Sequence, residues 1–332
     1  MYIKQSAITG FEKMNNDTPR LSVGLPVFNG EKYLRQAIDS ILNQTYQNFE
    51  LIISDNASTD RTREICIEYL TKDSRIRYYR SRRNRGAAWN WNRVFKLSSG
   101  EYFKWVAHDD TMVPEFFSKC IYVLEQDPSI ILCHSKNAII NECDKLVGKY
   151  NLGTFINSEK PHKRLNQILK KIGVPWLIFG VFRRDMLDKT PVFQGYIGSD
   201  WNLLAEVSLI GQIFEIQEYL FYRRDHKESY TDSHYSKPVR VHDFRTESLW
   251  WTGNTKPPRI ILPRWQNFIE FIKSINRVPM ARFERYLSYQ EIIRWLLRKG
   301  FQMMKWDLFN EIELWRIKLI YGKQNKGSTK SM

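Results

Sequence analysis

Apolar positions between Leu21 and about residue 140 recur with two alternating periods. LSVGLPVF is short and almost continuously apolar, the pattern of a buried strand, and Leu34, Ala37, Ile38, Ile41 and Leu42 then fall at helical spacing. FELIISD reads as a second strand. Ser58 or Thr59 is placed to cap a following helix whose apolar face is Thr62, Ile65, Cys66, Tyr69 and Leu70. IRYYR predicts a strand, GAAWNWNRVFKLSSG a helix with Gly100 as its C-terminal stop, and EYFKWVA another strand. Pro114 suits the opening of a helix with Phe117, Cys120, Ile121 and Leu124 on one side, and IILCHSKNAII closes the series as strand. Strands alternating with helices through short connections require an α/β fold with a mainly parallel sheet covered on both faces. Ligands of such sheets bind outside the carboxyl ends of the strands, which here read PVFN, SDN and HDD.

The second half is less regular. GSDWNLLAEVSLIG predicts a short helix and QIFEIQEYLFYRR a strand, whereas the polar, proline-containing residues 226–263 read as a loop or linker. From Arg264, basic amphipathic helices are expected, with Met304, Leu308, Ile312, Trp315 and Leu319 along one side. The division is therefore a flexible leader at 1–20, an α/β domain at 21–225, the linker, a helical extension at 264–322 and a disordered tail at 323–332. The leader lacks the apolar core of a secretion signal, and no run of about 18 apolar residues marks a spanning helix.

Composition narrows the partners. Fifty-one Lys and Arg against 36 Asp and Glu give a net charge of +15, which favours polyanionic neighbours: phosphate-bearing small molecules, nucleic acid or an anionic membrane. The cluster RIRYYRSRRNRG keeps a nucleic-acid-binding protein as the non-enzymatic alternative. A dinucleotide oxidoreductase is excluded, because GLPVFNGE stands where GxGxxG is needed after the first strand. The four cysteines Cys66, Cys120, Cys133 and Cys143 show no CxxC pairing and are expected to be reduced core residues of a cytoplasmic protein.

The sharpest chemical signal is WVAHDDTMVPEF, where an apolar strand ends in His108, Asp109 and Asp110. Adjacent carboxylates repel, and a cation is the usual remedy. Oxygen ligands at an open strand end suit Mg or Mn shared with substrate phosphates, where the metal neutralises a diphosphate leaving group.

PVFNGEKYL, ISDNASTDRT, RNRGAAWNWNRVFKLSSGEYFKW and HDDTMVPEF, in this order, resemble the nucleotide-sugar-dependent glycosyltransferases of family 2, which have the GT-A fold. The resemblance continues more weakly through GSDWNLLAEVSLIG and LFYRRDH. It implies that Pro26 and Val27 line the nucleotide pocket, that Asp55 hydrogen-bonds the base, typically uracil, and that Asn84 and Gly86 shape the loop beside it. Asn29 and His108, at the two strand ends, complete the expected donor-binding set. Asp109 matches the second acid of the family's DxD metal motif, whose first acid is replaced by Ala107, and Asp110 and His226 join it as expected ligands. Asp200 matches the catalytic base. The implied activity is inverting transfer from a nucleoside diphosphate sugar, with UDP the expected donor nucleotide, to a glycan or lipid-linked hydroxyl in cell-surface polysaccharide or glycolipid synthesis. The C-terminal helices, rich in Trp, Lys and Arg, are expected to pack on the catalytic domain or to meet an anionic membrane at its inner face, and no nucleic-acid partner is expected.

Overall fold

A computed structural model describes residues 18–150, 156–173, 175–229, 241–242 and 244–327; most of the expected leader and the last five residues of the expected tail lie outside them. The first half follows the predicted alternation: β1 (Leu21–Val27), α1 (Leu34–Leu42), β2 (Phe49–Asp55), α2 (Thr62–Lys72), β3 (Ile76–Arg80), α3 (Ala87–Lys96), β4 (Tyr102–Trp105), β5 (Thr111–Met112), α4 (Phe116–Gln126) and β6 (Ile130–Ile140). Then come β7 (Leu146–Tyr150), α5 (Pro161–Leu169), β8 (Val181–Arg183), α6 (Arg184–Leu187), α7 (Ser199–Ile210) and β9 (Gln212–Arg224). The helices that follow are α8 (Phe244–Thr252), α9 (Pro263–Arg277), α10 (Arg282–Trp295) and α11 (Phe301–Gly327), the last two joined by a π-helical turn, Leu296–Gly300.

The strands form one sheet in the order β3-β2-β1-β4-β8-β6-β9-β5, with β7 paired to β6. Strands β3, β2, β1 and β4 are mutually parallel, as are β6 and β9, while β8 and β5 pair antiparallel with their neighbours. Successive residues of one strand serve opposite faces: Tyr102 joins one hydrophobic core and Phe103 the other, and likewise Leu51 and Ile52. Burial on both faces explains why these runs read as continuously apolar. Lys104 in β4 is a buried cation. Its ammonium, fully buried between the Phe116 and Phe221 rings, donates to the Phe179 carbonyl, and burial lowers its pKa to about 7.

Three local expectations are corrected. Neither Ser58 nor Thr59 caps α2; the cap position is Arg61 without a side-chain cap bond, because the Ser58 hydroxyl accepts the Asn29 N–H instead. Helix α3 ends at Lys96, before Gly100, whose missing side chain matters for another reason: a Cβ there would lie 2.8 Å from the Ser22 backbone nitrogen. Cys143 is exposed, unlike the other three cysteines. In addition, residues 226–263, read as loop, contain α8, whose sequence FRTESLWWT buries Phe244, Glu247, Ser248 and Trp251.

The C-terminal helices complete one of the two cores, since Phe271, Ile275, Ile292 and Trp295 pack in the same cluster as Phe103, Trp105 and Leu204. A polar clamp fixes α9 on α7. The buried Glu206 carboxylate accepts from Arg277 Nε and Nη2 at 2.8 Å each and from the Ser274 hydroxyl at 2.8 Å. Arg277→Ala would strand that carboxylate and is expected to lower stability by about 3 kcal/mol. Adding Glu206→Gln should recover part of the loss, measured as the shift of the urea midpoint at constant slope.

Candidate active site

The exits of β1 and β4 are held by side-chain bonds that let the backbone turn sharply. Beyond Val27, Asn29 adopts a positive φ of 52°, its N–H donates to Ser58 Oγ at 2.9 Å, and its Oδ1 accepts from the Thr59 N–H at 2.9 Å. Asn90 ties two strand ends together through Nδ2 donations to the Val27 and Ser54 carbonyls. Pro26 and Val27 are thus fixed at the end of β1, while the His108 ring packs over Gly30, where a Cβ would come within 2.8 Å of it.

The HDD turn is clamped by a residue that the sequence reading passed over. Arg224, 1% exposed at the end of β9, donates its backbone N–H to Asp110 Oδ1 at 2.9 Å and its Nε to the Asp109 carbonyl at 3.0 Å. Its remaining nitrogens reach the Asn141 carbonyl, Gln36 Oε1 and Asp144 Oδ1, and the guanidinium lies 4.6 Å from the Tyr33 ring centre. Asp110 is therefore turned into the sheet. Burial, with the Asp109 charge beside it, pushes its pKa well above the ordinary carboxylate value.

Asp109 faces the other way and meets His226. The His226 Nε2 lies 2.9 Å from Asp109 Oδ2, its ring packs on Tyr33, and its buried Nδ1 has no hydrogen-bond partner among the described residues. Burial works against the charged Asp109 carboxylate, but the neighbouring His108 and His226 outweigh it and hold the pKa below its ordinary value. Of the three expected ligands the fold brings Asp109 and His226 together and directs a carboxylate oxygen of Asp110 elsewhere. Among the described residues no group of three or more His, Cys, Asp or Glu is arranged as a metal cage. The ionised Asp109 carboxylate fits a cation completed by phosphate oxygens and water, which is how Mg is commonly held, and the His226 nitrogen that faces it is Nε2, the orphaned Nδ1 lying on the far edge of the ring.

Asp55, at the end of β2, is fully buried. Its Oδ1 accepts the Ser58 N–H at 2.7 Å, and its Oδ2 accepts from the Tyr78 hydroxyl at 2.7 Å and from Arg80 Nε at 3.0 Å. Beside it, Asn84 Oδ1 accepts from Asn56 Nδ2 and from the Gly86 N–H, both at 2.9 Å. Gly86 has φ +82° and meets Gly253, so a Cβ would come 2.3 Å from the Gly253 nitrogen. Only glycine fits. This loop borders a cavity of about 490 Å³ lined by Arg80, Ser81, Arg82, Arg83, Arg85, Trp89 and Arg93. Arg85 and Arg93 sit 4.4 and 5.0 Å from the Trp89 ring centre.

Asp200 lies in the first turn of α7, after Gly198, whose φ of 80° redirects the chain. Its Oδ1 accepts the Trp201 N–H at 3.0 Å. Burial raises its pKa to about 7, with Glu247 of α8 adding to the effect and the Trp201 N–H opposing it. The segments leading to Asp200 and Asp109 meet where Phe193 packs edge-on against Trp105, 5.1 Å between centres. A carboxylate with a pKa near neutrality is suited to accept a proton at physiological pH.

Known proteins share the sequence pattern and the fold. An uncharacterized glycosyltransferase of Rickettsia bellii is 30% identical over 266 residues, covering 75% of this chain and 34% of its own. Glycosyltransferase GlyG of Streptococcus pneumoniae is 37% identical over 114 residues, 34% of this chain and 38% of that one. The chain thus spans roughly a third of the length of these relatives. The crystal structure of S. aureus TarS 1-349 in complex with UDP-GlcNAc matches with a TM-score of 0.59 at 16% identity, over 83% of this chain and 71% of that one, which establishes the GT-A fold. The sequence profile of glycosyl transferase family 2 matches residues 22–190, about half of the chain. With the fold and the strand-exit motifs in agreement, the chain belongs to glycosyl transferase family 2.

Proposed function

We propose that this glycosyltransferase moves one hexose from a UDP-sugar to a hydroxyl of a glycan or lipid-linked acceptor, with inversion, in cell-surface polysaccharide or glycolipid synthesis on the inner face of the membrane. The observation that carries the reading is the placement of Asp200, an acidic side chain in the first turn of a braced helix, where burial raises its pKa to about 7. UDP as the nucleotude is supported by the UDP-GlcNAc bound to S. aureus TarS, which shares the fold.

In a single displacement the acceptor oxygen attacks the anomeric carbon, its proton passes to Asp200, the bond to the diphosphate breaks and the nucleoside diphosphate leaves. One displacement inverts the configuration, and no second carboxylate is needed as a covalent nucleophile. Pro26, Val27 and Asn29 shape the donor cleft. Asp55 acts by holding Arg80 and the Ser58 turn, and Asn84 and Gly86 fix the loop beside them. The arginines around Trp89 attract the anionic donor by their summed field. Asp109 and His226 would hold a divalent cation, which when bound neutralises charge on the leaving diphosphate.

Asp200→Asn is expected to lower turnover by about 10² to 10⁴-fold while leaving uridine diphosphate affinity near wild type. In the wild type kcat/KM should rise with pH through about 7 as Asp200 ionises, and in the variant that limb should vanish. The stability linkage has the opposite sign. A carboxyl raised by folding favours the native state below its unfolded pKa, and the advantage is lost as pH rises through about 7. Chemical denaturation from pH 5 to 8 should therefore show a shallower decline for Asp200→Asn. Retention of most activity by that variant would remove Asp200 as the base.

Asp109→Asn should preserve the fold, since the amide oxygen can still face His226, but should abolish the gain in uridine diphosphate affinity brought by Mn. Calorimetry with and without EDTA reads this directly, and an unchanged Mn effect would exclude Asp109 as a ligand.

A further inference from the structure

The last two helices turn Ile292, Trp295 and Met304 to the core but also bury polar side chains and expose apolar ones. On α11 three inward positions are polar: Asp307 accepts from the Arg264 N–H, Asn310 exchanges two bonds with the His242 backbone, and Glu311 pairs with Arg245. The outward positions are apolar, with Leu308, Ile312 and Trp315 exposed. On α10 Ser288 and Glu291 are buried while Phe283 and Ile293 face out. The π-helical turn between the helices carries Leu297, 78% exposed, and Gly300 allows it to rest on the Trp295 ring. Leu297, Phe301, Leu308, Ile312 and Trp315 follow at steps of four, seven, four and three residues, an apolar stripe interrupted only by Lys305 over the Phe301 ring.

Charge is sorted in the same sense. Glu284, Glu291, Asp307 and Glu311 are directed to basic or amide partners within the protein. Arg282, Arg294, Arg298, Lys299, Lys305 and Arg316 are exposed. A second copy would bring two such cationic faces together, whereas an anionic bilayer offers both the apolar depth and the opposite charge.

We propose that the exposed face of α10, the π-helical turn and α11 lies in the plane of a bilayer rich in anionic phospholipid, with the apolar stripe below the headgroups and the arginines and lysines among the phosphates. This rests on the membrane placement proposed above and specifies its surface and lipid class; it does not rest on the transfer chemistry.

The full-length protein should float with vesicles of phosphatidylglycerol and phosphatidylcholine and remain behind with phosphatidylcholine alone. Leu297→Glu/Ile312→Glu, at two exposed positions, should weaken vesicle binding at least about tenfold. That variant should keep the wild-type melting temperature and the wild-type thermal shift with uridine diphosphate, so failure of docking and failure of the transfer reading are separable. Absence of flotation with anionic vesicles, or equal flotation of the variant, overturns the proposal. So does a wild-type dimer in light scattering that the double substitution converts to monomer, since the stripe would then be a protein interface.

Discussion

One buried guanidinium holds the strand exits in register. Arg224 ends β9, yet its bonds go to the turn after β4, to the carbonyl of Asn141 at the end of β6 and to Gln36 on α1. A cation removed from water is tolerated only when its donors are satisfied and a counter-charge is near, and here both conditions hold, through the carbonyls and through Asp144. The consequence for Asp109 is directional. Because Arg224 takes its carbonyl and takes Asp110 Oδ1 through the backbone, the neighbouring acids cannot point the same way, and only Asp109 is presented to His226.

A second constraint reaches the other end of the site. The turn before α7 is fixed from α9, where Asn267 Nδ2 donates to the Ile197 carbonyl and Asn202 Nδ2 donates to the Asn267 carbonyl. Together with the Glu206 clamp, these bonds make the C-terminal helices part of the scaffold for Asp200. Burial is the main cause of its raised pKa. Helix α8 brings Glu247 close enough to oppose ionisation, so a segment outside the strands tunes a residue in the first turn of α7.

Most of the fold was legible because the strands are buried on both faces and their helices are one-sided, so both periods stand out in the sequence. LSVGLPV, FELIISD and IILCHSKNAII fall on the observed strands. Helix α8 was not legible, since FRTESLWWT buries Glu247 and Ser248 beside Phe244 and Trp251 and so shows no clean apolar stripe. In the site, the motif residues stand at strand ends and turns as the α/β pattern requires. What the sequence could not convey is which way each polar group points. Asp110 looks equivalent to Asp109, and Arg224 looks like a surface arginine at a strand end, until β9 is paired beside β6 and closes over the HDD turn. Asn90 is similar: within the aromatic-rich α3 its polar side chain carries no sign that it bridges the Val27 and Ser54 carbonyls.

The same problem of direction is sharpest in α10 and α11. The sequence reading placed Met304 on one side with Leu308, Ile312 and Trp315, yet Met304 is 4% exposed and Ile312 65%. Hydrophobic periodicity alone assigns an apolar face to the interior. Here buried acids occupy that position, because Arg264 and Arg245 reach Asp307 and Glu311 from the α8 and α9 region. Burial of a side chain the size of Leu or Ile is worth about 1.5 to 3 kcal/mol, so an outward stripe forgoes a substantial gain. An apolar surface this long is physically intelligible when something covers it. The ion pairs that turn the stripe outward also join α11 to α9, and α9 holds α7, so one stack of helices connects the exposed stripe to the support of Asp200.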